Sequence, residues 1–338
     1  MNKPLIPSLL LSASLLLPSL LLTGSAYAEP LFSSRAWQAP DGVDAAIEVV
    51  HSDTRTSGGF SALWVSPNCE RLITLSDYSQ HSWRSDLTRS GWFEAEINFD
   101  QSGNLEGVTS IRSGQLTDLD GKIVPGAVES MGWDGRGFLI SFDDRGDIYR
   151  YAGSEPSTDL FANRPVVAYQ GENLAGINRG LEALTVLADG RIFALWEKSR
   201  RAKHAAAWLI SGEQTEQLEY ETDLNPSGAT TLADGSLIIL ERQFLGGDSG
   251  THVRLVHLPE KSLNGSGEVL KGSDKPLKGR TVFDVRSKLL DNFEGISACR
   301  KDGRELLFAI SDNNGDWPRV FQGSNPQSTL LLMIELNR

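Results

Sequence analysis

GLEALTVLADGRIFALWEK, residues 180–198, decides the fold class of this chain. Asp189-Gly190 suits a tight turn that needs positive φ, and the runs on either side of it are rich in Leu, Ile, Phe and Trp. The second run, Ile192–Trp196, is continuously apolar, as is typical of a strand buried on both faces. A buried helix is the competing interpretation, but the run is short and a turn precedes it. The stretch therefore predicts a β-hairpin.

The same plan recurs along the chain, at residues 59–77, 128–144, 226–242 and 293–312. The five repeats start at Ser61, Glu129, Glu182, Ser227 and Glu294, so the intervals are 68, 53, 45 and 67 residues. Many short strands with a repeat of this length indicate a sandwich, a barrel or a propeller, and the repetition favours the propeller. One four-stranded blade needs about 40 to 50 residues. We therefore expect an all-β propeller of five or six blades, with residues 100–126 and 263–278 as insertions.

Ring closure involves both ends of the chain. A propeller removes its exposed sheet edges by closing, and the usual way is to pair the first and last strands within one blade. The last strand signal is TLLLMIEL, residues 329–336, and residues 46–50 are its natural partner. The fold prediction is thus a β-propeller closed by pairing of the N- and C-terminal strands.

The first 28 residues have the pattern of a signal peptide. Lys3 precedes a run of Leu, Ser, Pro and Ile, and Ala26 and Ala28 supply small residues before a cleavage site at Glu29. A membrane anchor is the alternative, which the prolines within the run disfavour. We expect residues 1–28 to be removed, residues 29–338 to form a single domain, and the mature protein to be periplasmic or secreted.

The net charge is −12, which argues against binding to nucleic acid. No second apolar run is long enough to span a bilayer. No zinc-ligand spacing among the five histidines, nucleophile elbow, P-loop or dinucleotide fingerprint occurs in the sequence. A small anionic molecule or an ester is the expected kind of substrate, and the sequence does not predict an oligomeric state.

Two cysteines, Cys69 and Cys299, lie at or near the turns of the first and last repeats. These repeats are neighbours in a closed ring, and both thiols lie toward the same end of their hairpins. An oxidising compartment permits a disulfide between them, which would staple the closure. Two separate thiols are an equal alternative at this point.

Acidic residues recur at one end of every repeat. In an antiparallel hairpin, the start of the first strand lies beside the end of the second. The starts carry Glu129, Glu182 and Glu294, and the ends carry Asp77, Asp143 or Asp144, Glu197, Glu241 and Asp312. The sequence therefore predicts an acidic mouth at one end of the ring.

Like charges at such a mouth need compensation by raised pKa values, basic partners or a metal ion. Arg145, Lys198, Arg200 and Arg242 immediately follow the strand ends and could pair with the acids or bind a substrate anion. Structural ion pairs between blades are the simpler interpretation. The alternative is a Ca²⁺ site, because this ion takes six to eight oxygen ligands. The expected metal ligands are Asp77, Glu129, Glu182, Glu241, Glu294 and Asp312.

GLEAL with Asp-Gly-Arg, PSGATTL with Glu-Arg, and DNFEGI with Ser-Asp-Asn before TLLLM resemble, in this order, the bacterial phytase-like family. Its members carry the description "esterase-like activity of phytase". The resemblance implies a propeller similar to the calcium-dependent alkaline phytases, which cleave phosphomonoesters of inositol phosphate. Those enzymes use clustered acids for calcium and Lys, Arg and Tyr for phosphate. Because this chain does not match their motifs residue by residue, no ligand is transferred from them.

The leading function hypothesis is an exported, Ca²⁺-dependent hydrolase of phosphate or other small esters. In it Glu182, Glu294 and Asp312 are the catalytic residues, and Arg145, Lys198 and Arg242 bind the substrate. A metal-dependent lactonase similar to the gluconolactonase propellers is a second enzymatic hypothesis. The non-enzymatic alternative is a binding propeller of the cell envelope whose acids are structural.

Overall fold

A computed structural model describes residues 32–51, 59–76, 91–122, 128–142, 146–152, 161, 165–169, 180–196, 203–245, 249–263, 275–313 and 328–336. Within these ranges every regular element is a β-strand, apart from one turn of 3-10 helix at Glu260–Ser262. The all-β prediction is therefore confirmed. None of the helical structure in the described part of the chain has the length and hydropathy to cross a membrane.

The strands form five antiparallel sheets, which are the blades of a propeller. The chain begins with β1 (Phe32–Ala36) and β2 (Ala45–His51), which belong to the fifth blade. The first blade contains β3 (Phe60–Val65), β4 (Arg71–Ser76), β5 (Gly91–Phe99) and β6 (Leu105–Gln115). The second contains β7 (Val128–Trp133), β8 (Gly137–Phe142), β9 (Ile148–Ala152) and β10 (Val166–Tyr169).

The remaining blades follow the same order from the axis outward. The third contains β11 (Leu181–Val186), β12 (Ile192–Trp196), β13 (His204–Ser211) and β14 (Gln214–Glu221). The fourth contains β15 (Asn225–Thr231), β16 (Leu237–Phe244), β17 (Thr251–Leu258) and β18 (Arg280–Ser287). The fifth contains β19 (Asn292–Lys301), β20 (Arg304–Asp312) and β21 (Thr329–Glu335), followed outward by β2 and β1.

The innermost strands β3, β7, β11, β15 and β19 pack against one another in sequence, and β19 packs against β3 to close the ring. Of the five or six blades expected, the ring has five. Each predicted repeat is the inner hairpin of one blade. The interpretation of residues 100–126 as an insertion is wrong in part, because Leu105–Gln115 forms the outermost strand of the first blade.

Closure of the ring joins the two ends of the described chain, as predicted. Strand β2 pairs with β21, with Ala46 opposite Leu332. A disulfide also links Cys69 of the first blade to Cys299 of the fifth across 230 residues, with 5.4 Å between their Cα atoms. Both cysteines are buried. The fifth and first blades are thus held together covalently as well as by packing.

The core consists of five clusters of buried side chains, one at each boundary between neighbouring blades. Second strands such as β8, in which all six residues are buried, supply side chains to the clusters on both sides. This explains their continuous apolar character in the sequence. A fully buried side chain such as Phe308 contributes about 1.5–3 kcal/mol through removal of its surface from water.

A one-residue irregularity occurs at the same place in each inner hairpin, near the start of the first strand. The residues at this bulge position are Ser61, Glu129, Glu182, Ser227 and Glu294, which are the five repeat starts identified in the sequence. A bulge leaves one residue out of the ladder and redirects its side chain. The repeat therefore places five redirected side chains at the same end of the ring.

Serines at the bulge position connect neighbouring blades. Ser227 Oγ donates a hydrogen bond of 2.9 Å to the carbonyl oxygen of Phe293 in the next blade. Ser61 Oγ donates in the same way to the carbonyl oxygen of Val128. Each acceptor directly precedes the bulge glutamate of the following blade. These bonds satisfy carbonyls that are buried at the inner edge of the ring, where no further strand pairs.

Candidate functional site

The mouth of the ring is the end at which the innermost strands start and the second strands end. In the fifth blade Asn292 lies opposite Asp312, and Glu294 follows at the bulge. Arg242 approaches from the end of β16 in the fourth blade. We refer to Arg242, Asn292, Glu294 and Asp312 as the mouth cluster. The cluster thus combines one cation, one amide and two carboxylates at the boundary between two blades.

Glu294 is held through a single oxygen. Its Oε1 accepts hydrogen bonds from Arg242 Nη2 and from Asn292 Nδ2, the second at 2.7 Å. Its Oε2 has no hydrogen-bond partner among the residues that the structure describes. The carboxylate is therefore fixed in orientation by one oxygen, while the other can accept a proton from a water or a ligand.

Burial in the cluster is deep for charged groups. Glu294 is 8% exposed and Asp312 3% exposed, and the Arg242 side chain keeps 22% of its surface. Removal of a carboxylate from water is costly unless a counter-charge and hydrogen bonds compensate it. Arg242 supplies the counter-charge to Glu294. Asn292 Nδ2 also lies 3.4 Å from Asp312 Oδ2, so one amide links the two carboxylates.

The surroundings of the cluster are held by backbone contacts. Asn313, next to Asp312, accepts a hydrogen bond of 2.9 Å from the backbone N–H of Gly59, just before the first blade. Asp291, next to Asn292, accepts one of 2.8 Å from the backbone N–H of Ser328. Both contacts bridge distant parts of the chain. They fix the ends of β19 and β20, and so the positions of the cluster carboxylates.

Three other acids predicted for the mouth lie within the described residues, and only two of them are at the mouth. Glu129 and Glu182 occupy the bulge position of the second and third blades and are partly exposed. Glu241 does not join the mouth cluster. Its side chain lies on the opposite face of β16 from Arg242 and contacts Tyr220 and Arg254. Successive residues of a strand point to opposite faces, which is the reason for this separation.

Several residues predicted for the site lie outside the described residues. They are Asp77, Asp143, Asp144, Arg145, Glu197, Lys198 and Arg200. Asn292 is a mouth residue that the sequence analysis missed, although it stands in the DNFEGI stretch. Asn292 could be found only from the register of β19 against β20, which places it opposite Asp312, the acid at the end of β20.

The described acids do not by themselves fit a Ca²⁺ site. This ion takes six to eight oxygen ligands, several of them usually carboxylates. The mouth cluster offers Glu294 and Asp312, and Glu294 already has Arg242 as its counter-charge. Within the described ranges, no group of three or more His, Cys, Asp or Glu side chains is placed to hold a metal ion. The chemistry available from these residues is anion binding by Arg242 and proton transfer by a carboxylate.

Solved structures with a similar course of chain include several hydrolases at low identity. A GH43 β-xylosidase/α-arabinofuranosidase from a compost microbial metagenome is 10% identical, with a TM-score of 0.47, covering 90% of this chain and 96% of that one. A GH43 enzyme from Xanthomonas citri is 10% identical, with a TM-score of 0.44 and coverages of 83% and 88%.

A putative 6-phosphogluconolactonase from Bacteroides uniformis is 12% identical, with a TM-score of 0.34 and coverages of 85% and 81%. These similarities are too distant to carry an argument about chemistry. No curated protein sequence is significantly similar to this chain. A family model described as "Esterase-like activity of phytase" matches residues 55–315, which is most of the chain, and the protein therefore belongs to the phytase-like family.

Proposed function

We propose that this protein is an exported hydrolase of small esters, with phosphate monoesters as the first substrate class to test, and that the mouth cluster is its active site. The observation that carries the proposal is the state of Glu294, whose Oε1 is clamped by Arg242 and Asn292 while its Oε2 has no partner among the described residues. A general base needs such a fixed orientation and a proton acceptor within reach of water. Membership of the phytase-like family supports the ester as substrate.

Arg242 is the substrate-binding residue of the proposal. A guanidinium has five N–H donors and matches the oxygens of a phosphate or carboxylate. Its partly exposed side chain lies against Glu294, so a bound anion would stand next to the base. The charge of Arg242 would also stabilise the negative charge that develops on the ester oxygens in the transition state.

The two carboxylates have different roles in this proposal. Glu294 Oε2 would take a proton from a water as the water attacks the ester, and the same carboxyl group would return that proton to the alcohol oxygen as the ester bond breaks and the alcohol leaves. Asp312 is 3% exposed and is linked to Glu294 through Asn292. It would hold the Asn292 amide in position and add a second negative charge to the mouth cluster. Glu182, which shares the bulge position, remains a proposed catalytic residue, and Arg145 and Lys198 remain proposed contacts for the substrate.

Ca²⁺ dependence is a separate part of the proposal. The family resemblance implies calcium, whereas the described acids alone do not build a site for it, so the hydrolytic step above uses protein residues only. Thermal unfolding with EDTA and with added Ca²⁺ tests the ion. A ligand present at 100 times its dissociation constant stabilises by about 2.7 kcal/mol, which is easily measured.

Export is supported by the disulfide between Cys69 and Cys299, because such bonds persist in oxidising compartments. The signal peptide itself lies outside the described residues. We propose cleavage before Glu29. The mass of the protein isolated from a periplasmic or culture fraction tests this, and a retained N-terminus with no extracytoplasmic protein would contradict it.

The decisive experiment measures hydrolysis of 4-nitrophenyl phosphate, 4-nitrophenyl acetate and a γ-lactone by the mature protein, with and without Ca²⁺. Glu294→Gln keeps the Oε1 acceptor but cannot accept a proton, so we expect kcat/KM to fall by about 10²-fold or more. Glu96→Gln, at an exposed position of β5, is the matched control and should leave kcat/KM unchanged.

The outcomes separate the candidate functions. Preference for the lactone would replace the ester proposal by the lactonase hypothesis. A folded protein that hydrolyses none of the three substrates would favour a binding propeller. If Glu294→Gln lowers the melting temperature but leaves kcat/KM unchanged, the mouth cluster is structural and the proposed active site is wrong.

A further inference from the structure

A second cavity lies away from the mouth cluster, between the third and fourth blades. Its volume is about 520 Å³, which is in the range of small-molecule sites. Its walls come from β13 and β14 on one side and from β16, β17 and β18 on the other. A backbone bridge between Tyr220 and Leu277 connects the two sides. None of the residues given a role in the proposed hydrolysis lines this cavity.

An ion pair between the fully buried Glu241 and the partly buried Arg254 forms the floor of the cavity. Glu241 is 0% exposed, and its two oxygens have different partners. Oε1 accepts a hydrogen bond of 2.7 Å from the Tyr220 hydroxyl, and Oε2 accepts one of 2.5 Å from Arg254 Nε. Glu241 is therefore neutralised by Arg254, and each of its oxygens already accepts a hydrogen bond.

Arg254 connects this floor to the solvent. Its Nη2 donates to Asp223 Oδ1 at 2.6 Å and to Thr222 Oγ1 at 3.3 Å. Its Nη1 makes no hydrogen bond with any residue in the described ranges. The Asp223 side chain is 80% exposed, so it is an easily displaced partner. An incoming carboxylate could thus use Nη1 and Nη2 together, in the paired geometry that guanidinium groups favour.

The rim of the cavity carries two lysines, Lys203 and Lys278, and two carboxylates, Glu221 and Asp223. Lys203 is exposed and makes no side-chain hydrogen bond or ion pair with another described residue, whereas Lys278 pairs with Glu221 at 2.8 Å. Because the Lys278 pair is exposed, it contributes little stability and can open readily. Thr222 and Thr281 are further lining residues. Most of the lining residues have polar side chains, so a ligand body with hydroxyl groups suits the cavity better than an apolar one.

Three acidic groups that line the cavity have shifted pKa values. Hydrogen bonding to Arg254 lowers the pKa of Asp223, and hydrogen bonding to Lys278 lowers the pKa of Glu221. Burial raises the pKa of Tyr220. Perturbed groups that converge on one cavity are typical of binding and catalytic sites, although structural ion pairs produce them too. Two features of Arg254 favour a binding site over a structural ion pair. Its Nη1 makes no hydrogen bond within the described ranges, and its partner Asp223 is exposed.

We propose that the cavity between the third and fourth blades binds a small hydroxylated carboxylate, whose carboxylate group pairs with Arg254 in place of Asp223 and is attracted by Lys203. A sugar acid is an example of this chemical class. Glu241 already has Arg254 as its counter-charge, which makes it a weak attractant for a cation. The proposal concerns binding only and is independent of hydrolysis at the mouth.

The test is calorimetric titration of the mature protein with D-gluconate at constant ionic strength. D-glucose is the neutral comparison, and inorganic phosphate is the competing type of anion. Three variants locate the ligand. Asp223→Asn removes the internal competitor of the ligand, Lys203→Gln removes a positive charge from the rim, and Glu294→Gln alters only the mouth cluster.

We expect saturable binding of gluconate and none of glucose. Asp223→Asn should tighten gluconate binding about two- to fivefold, and Lys203→Gln should weaken it by a similar factor, because exposed charge pairs have effects of this size. Glu294→Gln should leave the affinity unchanged. The gain of affinity in Asp223→Asn is the result that a purely structural ion-pair network would not give.

Four results would overturn the proposal. These are no saturation with gluconate below about 10 mM, equal binding of glucose, tighter binding of phosphate than of gluconate, or loss of gluconate binding in Glu294→Gln alone. The last result would place the ligand at the mouth. It would not decide the ester hydrolase proposal, which the hydrolysis assay tests separately. Asp223 and Lys203 are exposed, so both substitutions should leave the fold intact, which thermal unfolding verifies.

Discussion

Glu241 and Arg242 are adjacent in β16, yet their side chains belong to two different sites. Arg242 pairs with Glu294 at the boundary between the fourth and fifth blades. Glu241 is fully buried with Arg254 and Tyr220 on the other face of the strand. A single strand thus separates the proposed active site from the second cavity. Substitutions at these two positions should have different consequences.

Glu241→Ala should destabilise the protein by about 3–5 kcal/mol, because it leaves the charge of Arg254 buried without its main partner. Replacing both Glu241 and Arg254 by Leu should cost much less, since a buried ion pair is often close in stability to an apolar pair of similar volume. Urea unfolding measures both, with Glu96→Ala as the exposed control. If the double variant is as unstable as Glu241→Ala, the penalty does not come from the unpaired charge.

Acid should remove a small stabilising contribution from Asp223. The hydrogen bond from Arg254 lowers the pKa of this carboxyl below its ordinary value of 3.8. As the pH falls, the unfolded chain therefore binds the proton first. The contribution is complete above about pH 4 and is lost as the pH falls through the lower pKa of the folded state.

Asp223→Asn should flatten this part of the pH dependence of the free energy of unfolding. Urea unfolding between about pH 6 and about pH 2 at low ionic strength measures it. The side chain is 80% exposed, so the effect is small and should decrease further with added salt. Identical pH profiles for the variant and the wild type would contradict the proposed stabilisation of ionised Asp223.

The disulfide between Cys69 and Cys299 should be a large contributor to stability. It closes a loop across 230 residues, which restricts the unfolded chain. We expect Cys69→Ala with Cys299→Ala to lower the free energy of unfolding by about 2–5 kcal/mol. Denaturant unfolding measures this. Reductant should destabilise the wild type and leave the double variant unaffected, and an equal response of both would contradict the stapling role.

Gly295→Ala should loosen the contact between the fifth and first blades. A Cβ at this position would lie 2.8 Å from the backbone nitrogen of Leu63, which cannot move aside as a side chain can. We expect a loss of about 1–3 kcal/mol in urea unfolding. Gly132→Ala is the control, because its nearest contact is the flexible end of Leu184. If Gly132→Ala lowers the free energy of unfolding more than Gly295→Ala does, the close approach of the Leu63 backbone is not what disfavours a side chain at position 295.

The inner hairpins of the fold were readable in the sequence because their causes are local. Asp189-Gly190 forms the turn between β11 and β12, with Gly190 at a φ of +86°. The apolar run of β12 follows directly. Repetition of this pattern then predicted a ring, and the need to remove sheet edges predicted that β2 pairs with β21.

The sequence predicted where the candidate site lies in the ring, but not which residues belong to it. Glu294 and Asp312 meet because the register of a hairpin brings the start of one strand to the end of the other. The same rule assigned Glu241 to the mouth incorrectly. A residue at a strand end can point to either face, and which neighbouring blade it then meets depends on the assembled ring.

By itself the sequence determined the all-β class, the repeat with its start at Glu294, and the closing strands, because turns, strand period and hairpin register act over short distances. Only the tertiary structure decided that there are five blades and that Asn292 joins the mouth. It also decided that Glu241, Arg254 and Tyr220 line a cavity between two blades. These features depend on which blade faces which, and that is settled by packing between strands that are far apart in the chain.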